Sequence, residues 1–484
     1  MHIIEEKTFQ VHHNAWRRLT LSITNDPSAV EHQTLDQHTH GRGTVAYRRD
    51  LGRALRKKVP RRSHAKWSLA ADRPDPISLM EEQNQTRLQH LIPLRFERVS
   101  ASPFTFLRGT AIVMAADLAA TPVSGIKVQM CGDAHLNNFG IFATPERHQV
   151  FDLNDFDETL PGPWEWDVKR LAASVVIAGR SNGFSRDLNR QAVLSCIASY
   201  RQRMWEYSEM RHLEVWYARI DYASSLEAVN DSFRWWVNKQ SKRATRRTHV
   251  ELAPKLTEEV NGQILIKPEP PVLTRLKDEE LTHLLSALVE EYRTTLRDDR
   301  HVLLSKYRYV DVVHKVVGIG SVGTRCYVSL LLGNGPNDPL FLQIKQAQAS
   351  VYERYLGRSA YANHGQRVVM GQRLMQASSG IFLGWTRLRT FDFYIRQLRD
   401  MKLSVDTSTL TDAGLHEYAK FCGWALARAH ARSGDPAMIS GYLGQKDVFD
   451  QAIATFAELY ADQAERDHAA LVAHLQTAQP STLS

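Results

Sequence analysis

One stretch constrains this chain more than any other. "MCGDAHLNNFGIF", Met130 to Phe142, sets an aspartate, a histidine and two asparagines in an apolar frame. Polar side chains among apolar neighbours must find hydrogen-bond partners or serve chemistry. A metal site, a turn and a catalytic loop each meet that demand. The surrounding pattern adds context. "VQMCGDAHLNNFGIFATPERHQVFDLNDFDE" reads as short strand, loop, strand, turn, strand and a second acidic loop. "WEWDVKRLAASVVIAGRS" follows with helical period, placing Leu171, Val175 and Ala178 on one face.

Spacing gives the loops a chemical reading. Kinase catalytic loops put an aspartate five residues before an asparagine. The aspartate aligns the attacking hydroxyl and the asparagine holds magnesium. Asp133 and Asn138 have that spacing. A second aspartate must hold magnesium bridging the phosphates. Asp155 is placed for this, with Asp152 and Asp157 as helpers. Far downstream, Gly318-Ile-Gly320-Ser321-Val-Gly323 matches GxGxxG. The match alone says little, but its β-branched flanks suit a phosphate-covering hairpin rather than a strand-to-helix loop. Lys345, in the strand-like "PLFLQIKQA", is the expected phosphate-holding lysine, and Glu353 its orienting carboxylate. Arg108 could touch phosphate or form an internal salt bridge.

"GDAHLNNFG" resembles the G-D-x-H-x-x-N loop of aminoglycoside phosphotransferases and choline kinases, matching at Gly132, Asp133, His135 and Asn138. The resemblance implies a two-lobed, α+β, protein-kinase-like fold using ATP and Mg²⁺. It gives Asp167 of "WEWDVKRLA" the task of bracing the catalytic loop, with His135 as further structural support. Cys131 stands where that superfamily has histidine, and "DFD" where it often has "DFG". Here the catalytic loop precedes the glycine hairpin, so the fold expected is circularly permuted. Nearly the whole chain also resembles the bacterial domain of unknown function 2252, through stretches such as "GRALRKKVPR", "CGDAHLNNFG", "FDLNDFDET", "GPWEWDVKRLAAS" and "LARAHARSGD". That second resemblance implies no particular activity.

The expected organisation is a basic N-terminal extension over 1–90 and a helical lobe with catalytic and metal-binding loops over 91–300. A β-rich nucleotide-binding lobe over 301–410 and closing helices over 411–484 complete it. Residues 1–40 read as loosely ordered. Pro74 and Pro76 break any helix near them, and helix follows from Glu81 to Leu91. Helical patterns continue to about Asp299, interrupted by the strand-like "QILIKPEPPVL". "RVVMGQRLMQ" and "DFYIRQL" read as strands, and "LHEYAKFCGWALARAHARSG" as a helix capped by Gly434.

The net charge of +8 is local: residues 41–66 carry ten Lys or Arg and one Asp, leaving about −1 elsewhere. That segment could grip phosphates, form a solvated helix face or pack on acidic parts of the chain. The lack of interleaved aromatics argues against nucleic acid. Four well-separated cysteines, no membrane-length apolar run and an acidic start suit a cytoplasmic protein. Only eleven residues separate Asp155 from Asp167, too few for a regulatory activation segment. The expected activity is phosphoryl transfer to a small-molecule hydroxyl acceptor, with nucleotidyl transfer, a nucleotide-binding pseudokinase or a basic-arm nucleic-acid binder as alternatives. A metallophosphoesterase reading of Asp133 and His135 lacks the further histidine and asparagine ligands; Asn363-His364 is the nearest pair. His430 and Asp435 read as structural.

Overall fold

The computed structural model describes residues 43–221, 234, 238, 249–398 and 403–478. The expectation for residues 1–40 lies outside these. So does the helical reading over 222–248, except at residues 234 and 238. The described chain is a mixed α+β structure with several antiparallel sheets.

Helix α1 (Val45–Leu55) begins at Thr44, whose hydroxyl accepts the Tyr47 amide. The basic segment around it is docked. Arg48 pairs with Asp435 at 2.9 Å, Arg56 Nε donates to the Tyr442 carbonyl at 2.8 Å, and Arg61 Nη1 donates to the Leu443 carbonyl at 2.5 Å. Three of the ten cations are thereby spent inside the chain. Helix α2 runs Pro76–Asn84, with Asp75 accepting the Ser78 amide. Pro76 therefore starts a helix instead of breaking one, because the first helical position needs no N–H. That helix ends at Asn84, before the expected Leu91. Helices α3 (Ile92–Ser100), α4 (Pro103–Gly109) and α5 (Ala111–Ala119) follow.

Strands β1 (Lys127–Met130), β2 (Phe139–Ala143), β3 (Gln149–Leu153) and β4 (Leu160–Pro163) bracket the two acidic loops. β2 and β3 pair antiparallel, and β1 pairs with β4. Helices α6 (Trp164–Ser181) and α7 (Arg186–Glu209) then enter the main apolar core.

A six-stranded antiparallel sheet forms from β5 (Leu273–Arg275), β6 (Arg308–Lys315), β7 (Cys326–Leu332), β8 (Pro339–Ala347), β9 (Gly384–Leu388) and β10 (Phe391–Gln397). Its order is β9-β10-β8-β7-β6-β5, and helix α8 (Glu279–Arg293) packs on it around Tyr292. "RVVMGQRLMQ" is not a strand: it lies in helix α9 (His364–Met375). Asn363 caps that helix by accepting the Gln366 amide, and a Cβ at Gly365 would collide with the Phe393 carbonyl.

After β10 the chain returns to the acidic loops. β11 (Leu403–Ser404) pairs with β2, joining Ser404 to Gly140. Helix α10 (Asp412–Ser433) then packs on α6 and α7, with Gly434 as its C-terminal cap. Helices α11 (Pro436–Leu443) and α12 (Val448–Ala478) close the core. Among the described residues no helix is long and apolar enough to cross a membrane.

Candidate functional site

The loop after β1 turns at Gly132, whose φ is +80° and whose absent Cβ makes room for the Glu158 carbonyl. Asp167, in the first turn of α6, fixes this turn. Its two oxygens accept the Cys131 amide at 2.8 Å and the Gly132 amide at 3.0 Å. His430 Nε2 lies 3.2 Å from the same carboxylate, and the Tyr200 hydroxyl lies 2.8 Å from His430 Nδ1. One helical turn after Asp167, Arg170 donates from Nε to Asp133 Oδ1 at 2.6 Å. Burial opposes the Arg170 charge, but Asp133, together with Tyr352 and Tyr460, outweighs it and holds the guanidinium pKa above its ordinary value. Asp133 Oδ2 lies 3.6 Å from His135 Nε2. Burial pushes the His135 pKa down to about 4, against the pull of Asp133 and with the push of Arg108 and Arg170.

Asn138 ties the two acidic loops together. Its Nδ2 donates to the carbonyls of Asp133 at 2.9 Å and Asp155 at 3.0 Å. Its Oδ1, expected on magnesium, accepts the backbone amides of Asp155 at 2.6 Å and Asn154 at 3.3 Å. Asp152 is no helper: it is buried in an ion pair with Arg428 at 2.7 Å and accepts the Ala377 amide.

From the sheet, Lys345 on β8 stands opposite Tyr394 on β10. Its Nζ forms an ion pair with Asp157 Oδ2 and lies 3.7 Å from Asp155 Oδ2. The Tyr394 hydroxyl donates to Asp157 Oδ1 at 2.8 Å, and Ser321 Oγ to Asp157 Oδ2 at 3.3 Å. Burial alone would lower the Lys345 pKa; the two carboxylates outweigh it and hold the ammonium well above its usual range. Glu353 does not orient this lysine. It begins a short helix, and its carboxylate lies 3.8 Å from His364 Nδ1 and 3.9 Å from Arg367 Nε. Asp157 performs the pairing expected of Glu353.

The glycine loop joins β6 to β7, with Gly318 at φ +51° and Gly323 at +87°. The N-terminal helices grip it. Arg98 Nη1 donates to the Gly318 carbonyl at 2.9 Å, Arg87 Nη1 to the Val322 carbonyl at 2.5 Å, and the Leu88 amide to the Gly323 carbonyl at 2.8 Å. Ile319 at its tip packs against Met80, Val99, Phe106 and Leu471.

All three loops line one cleft of about 210 Å³. Asp133, Asn138, Asp155 and Asp157 lie along it with Gly318, Gly320 and Ser321. Arg108 also lines it and makes neither an ion pair nor a hydrogen bond among the described residues, so the expected internal salt bridge is absent. No group of three or more His, Cys, Asp or Glu in the described residues is arranged as a metal cage.

The family described as "uncharacterized protein conserved in bacteria" (DUF2252) matches residues 87–474. The chain belongs to DUF2252. No curated protein and no solved structure matches it. The DUF2252 match takes in every cleft residue from Arg108 to Ser404, while the docked basic segment lies outside it. Residues of this DUF2252 chain that the sequence did not single out are Arg170, Tyr394 and Asn154. Arg170 carries a signal in retrospect: it follows Asp167 by three, so both share one helix face.

Proposed function

We propose that this chain is a Mg-ATP-dependent phosphotransferase with a circularly permuted kinase-like fold, acting on a small-molecule hydroxyl. One observation carries the reading. Lys345, beside the glycine loop's sheet, meets Asp155 and Asp157, although 188 positions separate Lys345 from Asp157. Kinase chemistry calls for that meeting: a glycine loop between two strands, a lysine on the third, and an acidic loop facing them. Permutation is supported by the return path, in which β11 pairs with β2 before α10 joins the helical core.

The residues present fit magnesium. That ion keeps waters and phosphate oxygens among its ligands, so one or two protein carboxylates suffice. Asp155 and Asp157 would hold it, while Asn138 positions the Asp155 loop instead of contributing its oxygen. Magnesium, when bound, neutralises charge on the phosphates. The chain itself supplies the rest. Lys345 and the glycine-loop amides grip phosphate oxygens, and Lys345 must exchange part of its Asp157 contact for them. Arg170 holds Asp133 Oδ1, leaving Oδ2 to align an acceptor hydroxyl and receive its proton. Such positioning and charge neutralisation supply most of the rate in phosphoryl transfer. Four buried free cysteines suit a reducing, cytoplasmic setting.

The test is calorimetry of the full chain with ATP and GTP, with and without magnesium, followed by product analysis. Magnesium-dependent binding and slow ADP release are expected. Pyrophosphate release would redirect the reading to nucleotidyl transfer. Absence of binding by any nucleotide would end it.

A further inference from the structure

Four residues lining the cleft each carry a buried polar atom with no hydrogen-bond partner among the described residues: Arg108 Nε, His135 Nδ1, Asn137 Oδ1 and Asn154 Nδ2. Arg108 is the most telling. Elsewhere in the chain buried guanidinium groups meet carboxylates, as Arg428 meets Asp152 and Arg48 meets Asp435, or neutral oxygens, as Arg95 meets Asn84 and Gln83 and Arg87 meets the Val322 carbonyl. Arg108, in the last turn of α4, has only the Phe104 ring at 5.9 Å from its central carbon. Burial pushes its pKa down, and Asp133 and Asp406 pull it back only in part. Arg108 is half-buried, with Nε sealed off and the side chain lining the cleft, so a partly desolvated cation without a partner among the described residues points to a partner outside the chain. The guanidinium fork matches two oxygens of a phosphate or carboxylate.

The Arg108 backbone borders the glycine loop, where a Cβ at Gly320 would lie 3.2 Å from the Arg108 carbonyl, so the side chain's own neighbours decide which group it serves. Lys345 and the glycine amides face the phosphates from the sheet side, with the Asp155–Asp157 loop opposite them. Arg108 neighbours His135 and Asp133, the residues on the acceptor's side of the transferred group. We infer that Arg108 anchors a phosphate or carboxylate carried by the acceptor, and that Asn137 beside the catalytic aspartate binds one of its hydroxyls. The substrate class is thus a small hydroxylated anion. The word acceptor rests on the phosphotransferase reading; the anion site rests on the orphaned groups alone.

The experiment titrates the full chain calorimetrically with glycerol 3-phosphate, glycerate and glycerol at constant ionic strength. It is done first without nucleotide, then with magnesium and a non-hydrolysable ATP analogue at saturation. At least one charged probe is expected to bind tenfold or more tightly than glycerol, and the preferred one identifies phosphate or carboxylate as the anchor group. Arg108→Gln is expected to lose that advantage. Arg108→Lys keeps the charge without the fork and is expected to lose threefold to tenfold, which carries the test if the glutamine variant does not fold. Asn137→Ala, at a half-buried position, is expected to weaken the charged probe about threefold.

Charged probes that bind no better than glycerol, or that bind both Arg108 variants as they bind the wild type, overturn the inference while leaving the nucleotide site standing. Displacement of the probe by the ATP analogue overturns it too, because Arg108 would then serve the terminal phosphate. Arg108-dependent probe binding in a protein that binds no nucleotide keeps the anion site and removes the phosphotransferase reading.

Discussion

Asp133 uses its two oxygens differently: Arg170 occupies Oδ1, and Oδ2 is left near His135 at the cleft. Asp133→Asn retains the shape and an oxygen for Arg170 while removing the charge. It is expected to lower intrinsic ATP turnover by about 10²–10⁴-fold and to change the Mg-nucleotide Kd less than threefold. Steady-state turnover and calorimetry of the same preparation check both parts. Lys345→Ala has the opposite signature. Loss of one charge-assisted contact, worth about 1.5–3 kcal/mol, is expected to raise the nucleotide Kd at least tenfold. Unchanged affinity would remove Lys345 from the phosphate grip. At this scale the sequence is legible where chemistry sits in one loop. Gly132, Asp133, His135 and Asn138 announce themselves by spacing. Arg170 does not, because it meets Asp133 from a buried helix face that only the fold reveals.

The glycine loop is more firmly held than its composition suggests. Its carbonyls accept from Arg87, Arg98 and the Leu88 amide, and Ile319 is inserted among Met80, Val99, Phe106 and Leu471. Ile319→Ala removes the apolar anchor and leaves the polar grip, so the loop is expected to loosen without unfolding the sheet. Hydrogen exchange should show amides of residues 318–323 exchanging at least tenfold faster, while those of β7 and β8 keep their protection. Equal acceleration across the sheet would mean that Ile319 supports the fold and not the loop. The same scale explains where secondary structure was misread. Adjacent Val368 and Val369 with Gly371 suggested a strand, yet Arg367, Val368, Gly371, Gln372 and Met375 are buried at helical spacing. The glycine that weakened the helical pattern is what lets α9 pass against Thr159. By contrast α6 was legible end to end, since its apolar residues recur at helical spacing and the helix lies buried from Trp164 to Gly179.

Across the whole molecule, contacts distant in sequence do what a local reading cannot anticipate. The basic segment reads as an arm because its partners lie hundreds of residues away, in α11 and α12. His64, between Arg62 and Lys66, is the clearest case. It is fully buried, its Nε2 lies 2.7 Å from the Tyr442 hydroxyl, and its ring meets Phe449 edge-on. Burial, assisted by nearby Lys169, pushes its pKa down to about 3 from 6.5. Between those values the unfolded chain binds a proton at this site and the folded chain does not. Stability from this group is therefore present above about pH 6.5 and is lost as pH falls toward 3. From pH 7 to pH 5 the loss from this residue alone is expected to be about 2 kcal/mol. His64→Gln keeps a polar partner for Tyr442 but cannot titrate. Urea unfolding of both proteins at pH 7 and pH 5 should show the wild type losing more stability than the variant by about that amount. An identical pH dependence would mean that His64 titrates alike in the folded and unfolded chains, so that the docking of the basic segment does not bury it in solution.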